Sequence, residues 1–170
     1  MRQSGGRLRS RFLPALLVLA TGCWSYGFAG GGLPSHIHTV AVLPFDNETA
    51  SPALQRELHD RMRREVEGRL GLRAASESRA DAVVRGRILR YEPDIPSAYS
   101  SDPRVTTAAR RRLQITVDVE IVDQTSGRVL WERKGLTADG EYSERGEDDG
   151  RRQALEKLVA DVIAGAQSQW

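Results

Sequence analysis

Reactive side chains are sparse in this chain, and their spacing decides what they can do. Cys23 is the single cysteine, so a disulfide framework is excluded. His36 and His38 stand two residues apart, which on an extended strand sends both imidazoles to one face as a pair of candidate metal ligands. Zinc takes three or four protein ligands. No third is identifiable near the pair, since His59 falls among the charges of a helical segment. The pair reads as strand-end histidines at the surface. Glu147-Asp148-Asp149 is a dense acidic cluster, but it precedes a helical pattern, where negative charge suits the positive end of the helix dipole. No serine or cysteine nucleophile motif is present. The expectation is a protein that is not an enzyme and uses no metal and no cofactor.

The setting of Cys23 is more specific. Arg2, Arg7, Arg9 and Arg11 open the chain without an acid among them, an apolar run follows from Phe12 to Ala20, and Thr21-Gly22 precedes the cysteine. That is the layout of an export signal. A membrane-spanning helix needs about 20 apolar residues, and this run is shorter and carries Pro14. Leu19-Ala20-Thr21-Gly22-Cys23 resembles a bacterial lipobox, in which the thiol receives a diacylglyceryl group and the cysteine becomes the new N-terminus. Residues 1–22 are then a lipoprotein signal peptide. Each buried methylene of the acyl chains contributes about 0.8 kcal/mol, so two or three palmitate-like chains make a lasting anchor. Trp24 stands where an Asp would favour the inner membrane, which implies sorting to the outer membrane. Cleavage removes four arginines and takes the formal charge from +2 to −2, and with it goes the electrostatic argument for nucleic acid.

Residues 23–35 form a tether with Trp24, Tyr26 and Phe28 ahead of Gly30-Gly31-Gly32, and residues 36–170 are expected to form a single domain. Hydrophobic residues make up 39% of the chain and charged residues 28%, values of an ordinary globular protein. Ile37 to Phe45 is a β-branched run ended by Pro44. Ser51-Pro52 matches a helix start, Leu54, Leu58, Met62, Val66 and Leu70 recur every four residues, and Gly71 marks the stop, which predicts a helix over 52–70. Its pairs Glu57/Arg61, Asp60/Arg64 and Glu65/Arg69 read as solubilising i,i+4 bridges. Strands are predicted over 82–91, 113–122 and 128–137, the second with strict alternation from Leu113 to Ile121. Leu155, Leu158, Val159, Val162, Ile163 and Ala166 then carry a helical period.

Each helix has one apolar stripe and the clearest strand one apolar face. The expected fold is therefore α+β, a two-layer sandwich of two helices on one face of a mostly antiparallel or mixed sheet of about four strands, in the order β-α-β-β-β-α. The uncovered face of the sheet would carry Val83, Leu89, Tyr91 and Trp131, candidate partner-binding residues. Glu92 to Arg112 holds Pro93, Pro96 and Pro103 and reads as a long loop ending in Arg110-Arg111-Arg112. That run, with Arg85 and Arg87, is the candidate site for phosphates of an anionic lipid. In an antiparallel pair Arg85 and Arg87 would instead meet Asp118 and Thr116 across the strands.

Cys23, Tyr26-Gly27, Leu33-Pro34, His36 through Thr49 with its Val-Ala-Val-Leu-Pro-Phe centre, and the Pro52-Ala53-Leu54 helix start resemble the LptE-type lipopolysaccharide-assembly lipoproteins. Ala80-Asp81-Ala82, Gly86 to Leu89, and Asp123 through Gly127 into Val129-Leu130-Trp131-Glu132 continue the resemblance across the mature chain. It implies an outer-membrane lipoprotein that plugs a β-barrel translocon of the LptD type, contacts lipopolysaccharide and catalyses nothing. The Val-Ala-Val-Leu-Pro-Phe string also occurs in envelope lipoproteins that act as scaffolds or regulators of periplasmic enzymes or of secretion pores, which keeps that second class open.

Overall fold

Helix α1 (Pro52–Leu70) starts with proline in its first turn, where a missing N–H costs no hydrogen bond, and stops at Gly71, whose φ of 66° is open to glycine at little cost. Ser51 occupies the N-cap position, yet its hydroxyl makes no capping bond. Asn47 organises the entry instead: its Nδ2 donates to the Ser51 carbonyl (2.9 Å), and its Oδ1 accepts from the Thr49 N–H (3.0 Å) and hydroxyl (2.8 Å). The computed structural model describes residues 33–99, 108–143 and 146–168. The signal peptide, Cys23 and the tether aromatics lie outside them.

The sheet has six strands: β1 (Thr39–Val42), β2 (Asp46–Asn47), β3 (Arg73–Ala74), β4 (Ala82–Tyr99), β5 (Ala108–Asp123) and β6 (Val129–Tyr142). Their order is β3-β1-β4-β5-β6, with β2 pairing β4 beyond the end of β1. β1 runs parallel to β3 and β4, whereas β4, β5 and β6 form an antiparallel meander. Helix α2 (Glu147–Ser168) lies beside α1, and both contribute to one core with the same face of the sheet. Leu54, Leu58, Met62 and Val66 of α1, Leu155, Leu158, Val162 and Ile163 of α2, and Leu113 to Ile121 at alternate positions of β5 are buried there. The α+β two-layer class follows directly from these stripes.

Six strands replace the expected four because β2 and β3 are two residues long and carry no alternation to read. The segment 92–112 is a second correction. Its described residues are strand rather than loop: β4 continues to Tyr99 and β5 begins at Ala108. Pro93 and Pro96 fit because, among the described residues, β4 has no strand on its other side past the Asn47/Ile88 pair, so their missing N–H groups leave no ladder bond unmade there. The register also shifts around them, between Glu92 and Ile95 and between Pro96 and Ala98. A third correction concerns the helix charges. Glu57 pairs with Arg151 (3.1 Å) and Arg61 with Glu156 (2.9 Å), tying α1 to α2 rather than bridging along α1.

Two bulges decide which side chains face the helices. Ile88 pairs Val117 but Arg90 pairs Thr116, so Leu89 is an extra residue that reverses the alternation of β4. Tyr91, expected on the open face with Val83, therefore lies opposite Ile115 on the helix side. In β6 a shift between the Ile121/Trp131 and Val122/Val129 pairs does the same. Trp131 is 3% exposed and belongs to the core. A Cβ at Gly165 would stand 2.4 Å from its Nε1, so α2 approaches β6 on glycine at this point.

Candidate functional site

The face of the sheet turned away from the helices is a lattice of opposite charges. Arg85 Nε donates to Glu120 Oε1 at 2.6 Å, and Arg87 reaches Asp118 Oδ2 at 3.2 Å and Glu48 Oε1 at 3.5 Å. The cross-strand compensation expected for these arginines is present, two residues along from the anticipated partners, because Arg85 registers with Glu120 and Arg87 with Asp118. Lys134 pairs with Glu132 at 3.0 Å, and that contact holds its ammonium above the usual lysine pKa. Lys134 and Gly135 (φ 63°) form the bulge facing Asp118, whose Oδ1 accepts the Gly135 N–H at 2.8 Å. Between these groups runs an open groove of about 380 Å³, bordered by Leu43, Pro44 and Asp46 on the other side. Such a surface suits polar, shape-matched contact better than an apolar partner.

The arginine run does not act as one patch. On a strand, neighbours point to opposite faces: Arg111 shares the side of Leu113 and reaches Asp94 Oδ1 at 2.5 Å, whereas Arg110 and Arg112 share the open face with Arg85 and Arg87. Arg110 approaches Glu141 at 3.6 Å. Arg112 is exposed and has no ion pair among the described residues. Of the expected partner-binding residues, Val83 does lie on the open face but is 6% exposed, covered by Ala41 and Ala80 with Leu43 and Ala75 beside them. Leu89 is half-buried in its bulge. Among the described residues the exposed large hydrophobic one is Val129, at 49%.

Two carboxylates that residue type alone does not single out fasten the start of the fold. Asp81 Oδ2 accepts the N–H groups of His38 (2.9 Å) and Thr39 (2.8 Å) and the Thr39 hydroxyl (2.8 Å), which holds its pKa below the usual carboxylate value. Asp123 is 3% exposed; it accepts from the Ser126 hydroxyl at 2.6 Å and the Thr125 N–H at 2.8 Å and meets His36 Nε2 at 3.0 Å. The Ser126 bond above all, aided by His36, depresses its pKa far below the ordinary range. The Asp-Gln-Thr-Ser-Gly turn was the signal in the sequence that an aspartate folds back on its own backbone here. His36 therefore serves this turn. Among the described residues no group of three metal-ligating side chains comes together, and no helix is long and apolar enough to cross a membrane.

Residues 37–164 match the model of the LptE lipopolysaccharide-assembly family. The chain belongs to that family. The match begins in the segment that Asp81 and Asp123 fasten and ends within α2, so it takes in all six strands. The LptE family consists of outer-membrane lipoproteins devoted to lipopolysaccharide assembly. Comparison with curated proteins gave no match. Among solved structures the LptE-family fold is similar to a PelC dodecamer from Paraburkholderia phytofirmans, with TM-score 0.52, 20% identity, and 82% of this chain and 95% of that one covered. It is also similar to the XCC0632 protein of Xanthomonas campestris, with TM-score 0.51, 14% identity, and 79% and 86% covered. At these identities the likeness is one of fold.

Proposed function

We propose that this lipoprotein is anchored through acylated Cys23 in the outer membrane, with its folded domain on the periplasmic side or within a barrel lumen. There it binds and plugs an LptD-like β-barrel and assists lipopolysaccharide assembly. The observation that carries the reading is the family match across the whole six-stranded sheet. The open face supports it. A barrel lumen is polar and water-filled, and a plug that offers paired charges such as Arg85/Glu120 and Arg87/Asp118 can exchange them for lumen partners without exposing apolar surface. Arg85, Arg87, Arg110 and Arg112, all on that face, are the groups through which it would meet lipid phosphates. The protein works without a cofactor and catalyses nothing.

Affinity purification of the lipidated chain from envelopes tests this. Recovery of an outer-membrane β-barrel as the principal partner is expected, and a soluble or inner-membrane enzyme in its place would overturn the reading. The likeness to a dodecameric PelC favours one second reading, a ring of copies around a secretion pore. A native mass equal to many copies with no barrel bound would select it.

A further inference from the structure

On the edge of the sheet away from β6, the fold leaves a strand only partly covered. β3 pairs β1 at Thr39/Arg73 and Val40/Ala74 only, closing with the Ala75 N–H on the Val40 carbonyl at 2.9 Å. Alternation then sends the N–H and C=O of Val42 toward the same side, past the end of β3, where no backbone partner meets them among the described residues. After Ala75 the chain leaves the edge and crosses to the open face, where Ala75 and Ala80 pack by Ala41 and Val83. The result is a groove of about 300 Å³ along the β1 edge. Val40, Val42 and Ala74 line it, with Arg63 and Glu67 of α1 on one side and Ser76 and Arg79 on the other. The Arg79 guanidinium donates to Ser76 Oγ (3.0 Å), and neither Arg79 nor Arg63 has an ion pair among the described residues.

We propose that this groove receives an extended acidic peptide segment of a partner protein, added as a short strand against Val42 with its carboxylates on Arg63 and Arg79. The geometry supplies both halves of strand addition: unpaired backbone groups at a sheet edge give affinity, and flanking side chains choose the sequence. Two arginines against the single carboxylate of Glu67 leave the groove cationic, so an acidic strand is the complementary one. The proposal does not depend on barrel binding, since the groove lies at the β3 end of the sheet and the arginines assigned to lipid lie on β4 and β5.

The test is fluorescence anisotropy on the full chain in detergent with a labelled peptide alternating Glu and Val. Binding is expected, and it should weaken about tenfold in the Arg63→Gln, Arg79→Gln double variant, two exposed charge contacts being lost together. The same peptide N-methylated at alternate amides should not bind, and the Val42 amide should shift in NMR spectra on addition of the unmodified peptide. Arg133→Gln, on β6 at the opposite edge of the sheet, should bind as the parent does, with unchanged circular dichroism in every variant. Absence of binding, equal binding of the methylated peptide, equal loss in Arg133→Gln, or a response only to vesicles of anionic lipid would each overturn the proposal.

Discussion

Gly140 and Gly150 face each other across the β6–α2 interface so closely that a Cβ on Gly140 would lie 1.8 Å from the Gly150 carbonyl oxygen. On the other side, a Cβ on Gly150 would lie 2.9 Å from the Tyr142 ring. The obstacle at Gly140 is backbone, which no rotamer change relieves. Gly140→Ala should therefore lower stability by about 3 kcal/mol, the upper part of the range for overpacking. Urea unfolding followed by circular dichroism would measure it, and a loss below about 0.5 kcal/mol would mean that the helix yields.

Tyr91 is the hydroxyl that joins β4 to the start of α2. It donates to Glu147 Oε1 at 2.7 Å, and burial, more than its charged neighbours, pushes its pKa up to about 12. A phenol whose folded pKa exceeds its unfolded value of about 10 stabilises the fold fully below pH 10. That contribution is lost as pH rises through 12. Stability should fall between these limits in the parent and fall less in Tyr91→Phe, while at neutral pH the variant should lose about 1 kcal/mol for the missing hydrogen bond. Denaturant midpoints at stepped pH would show it, and parallel curves for both proteins would refute it.

At the acid end the sign is opposite. Asp123 and Asp81 have pKa values below those of the unfolded chain. Their contribution is present above the unfolded carboxylate value of about 3.9 and is lost as pH falls below it. Acid unfolding of Asp123→Asn should show a shallower pH dependence than the parent below pH 4, with faster amide exchange in residues 124–128. An unchanged acid limb would show that the turn does not govern it.

The split of the arginine run gives a graded expectation for lipid. Arg112→Gln removes an exposed cation that has no ion pair among the described residues, and it should weaken binding to lipopolysaccharide micelles about fivefold, one juxtamembrane charge. Arg111→Gln breaks the Asp94 contact beside the core side and should act on stability rather than on lipid. Titration calorimetry and thermal unfolding on both variants would separate the two roles, and equal lipid losses would restore the run to a single patch.

Much of this was legible in the residues. The Leu54-Leu58-Met62-Val66 repeat and the Leu113 to Ile121 alternation state their periods plainly, and each element formed where its period ran. What stayed hidden has physical causes. Two-residue strands such as β3 are held by neighbours rather than by pattern. Pro93 and Pro96 look like strand breakers until it is known that their side of β4 has no neighbouring strand among the described residues. The fates of Tyr91 and Trp131 turned on bulges at Leu89 and Leu130, which nothing in local composition announces. Of the candidate site, Arg85 and Arg87 could be placed from alternation alone, since no irregularity intervenes between Ala82 and Ile88.

The bulge at Leu89 also acts as a parity switch. The side chains from Arg90 to Glu92 answer to a count that is one residue out of step with the count before it, until the next shift between Glu92 and Ile95. Deleting Leu89 alone would close the ladder with Ile88 still opposite Val117, Arg90 still opposite Thr116 toward water and Tyr91 still opposite Ile115 on the helix side. A single-residue deletion should therefore be tolerated here, where the strand already carries one residue too many, and not within the regular stretch from Ala82 to Ile88.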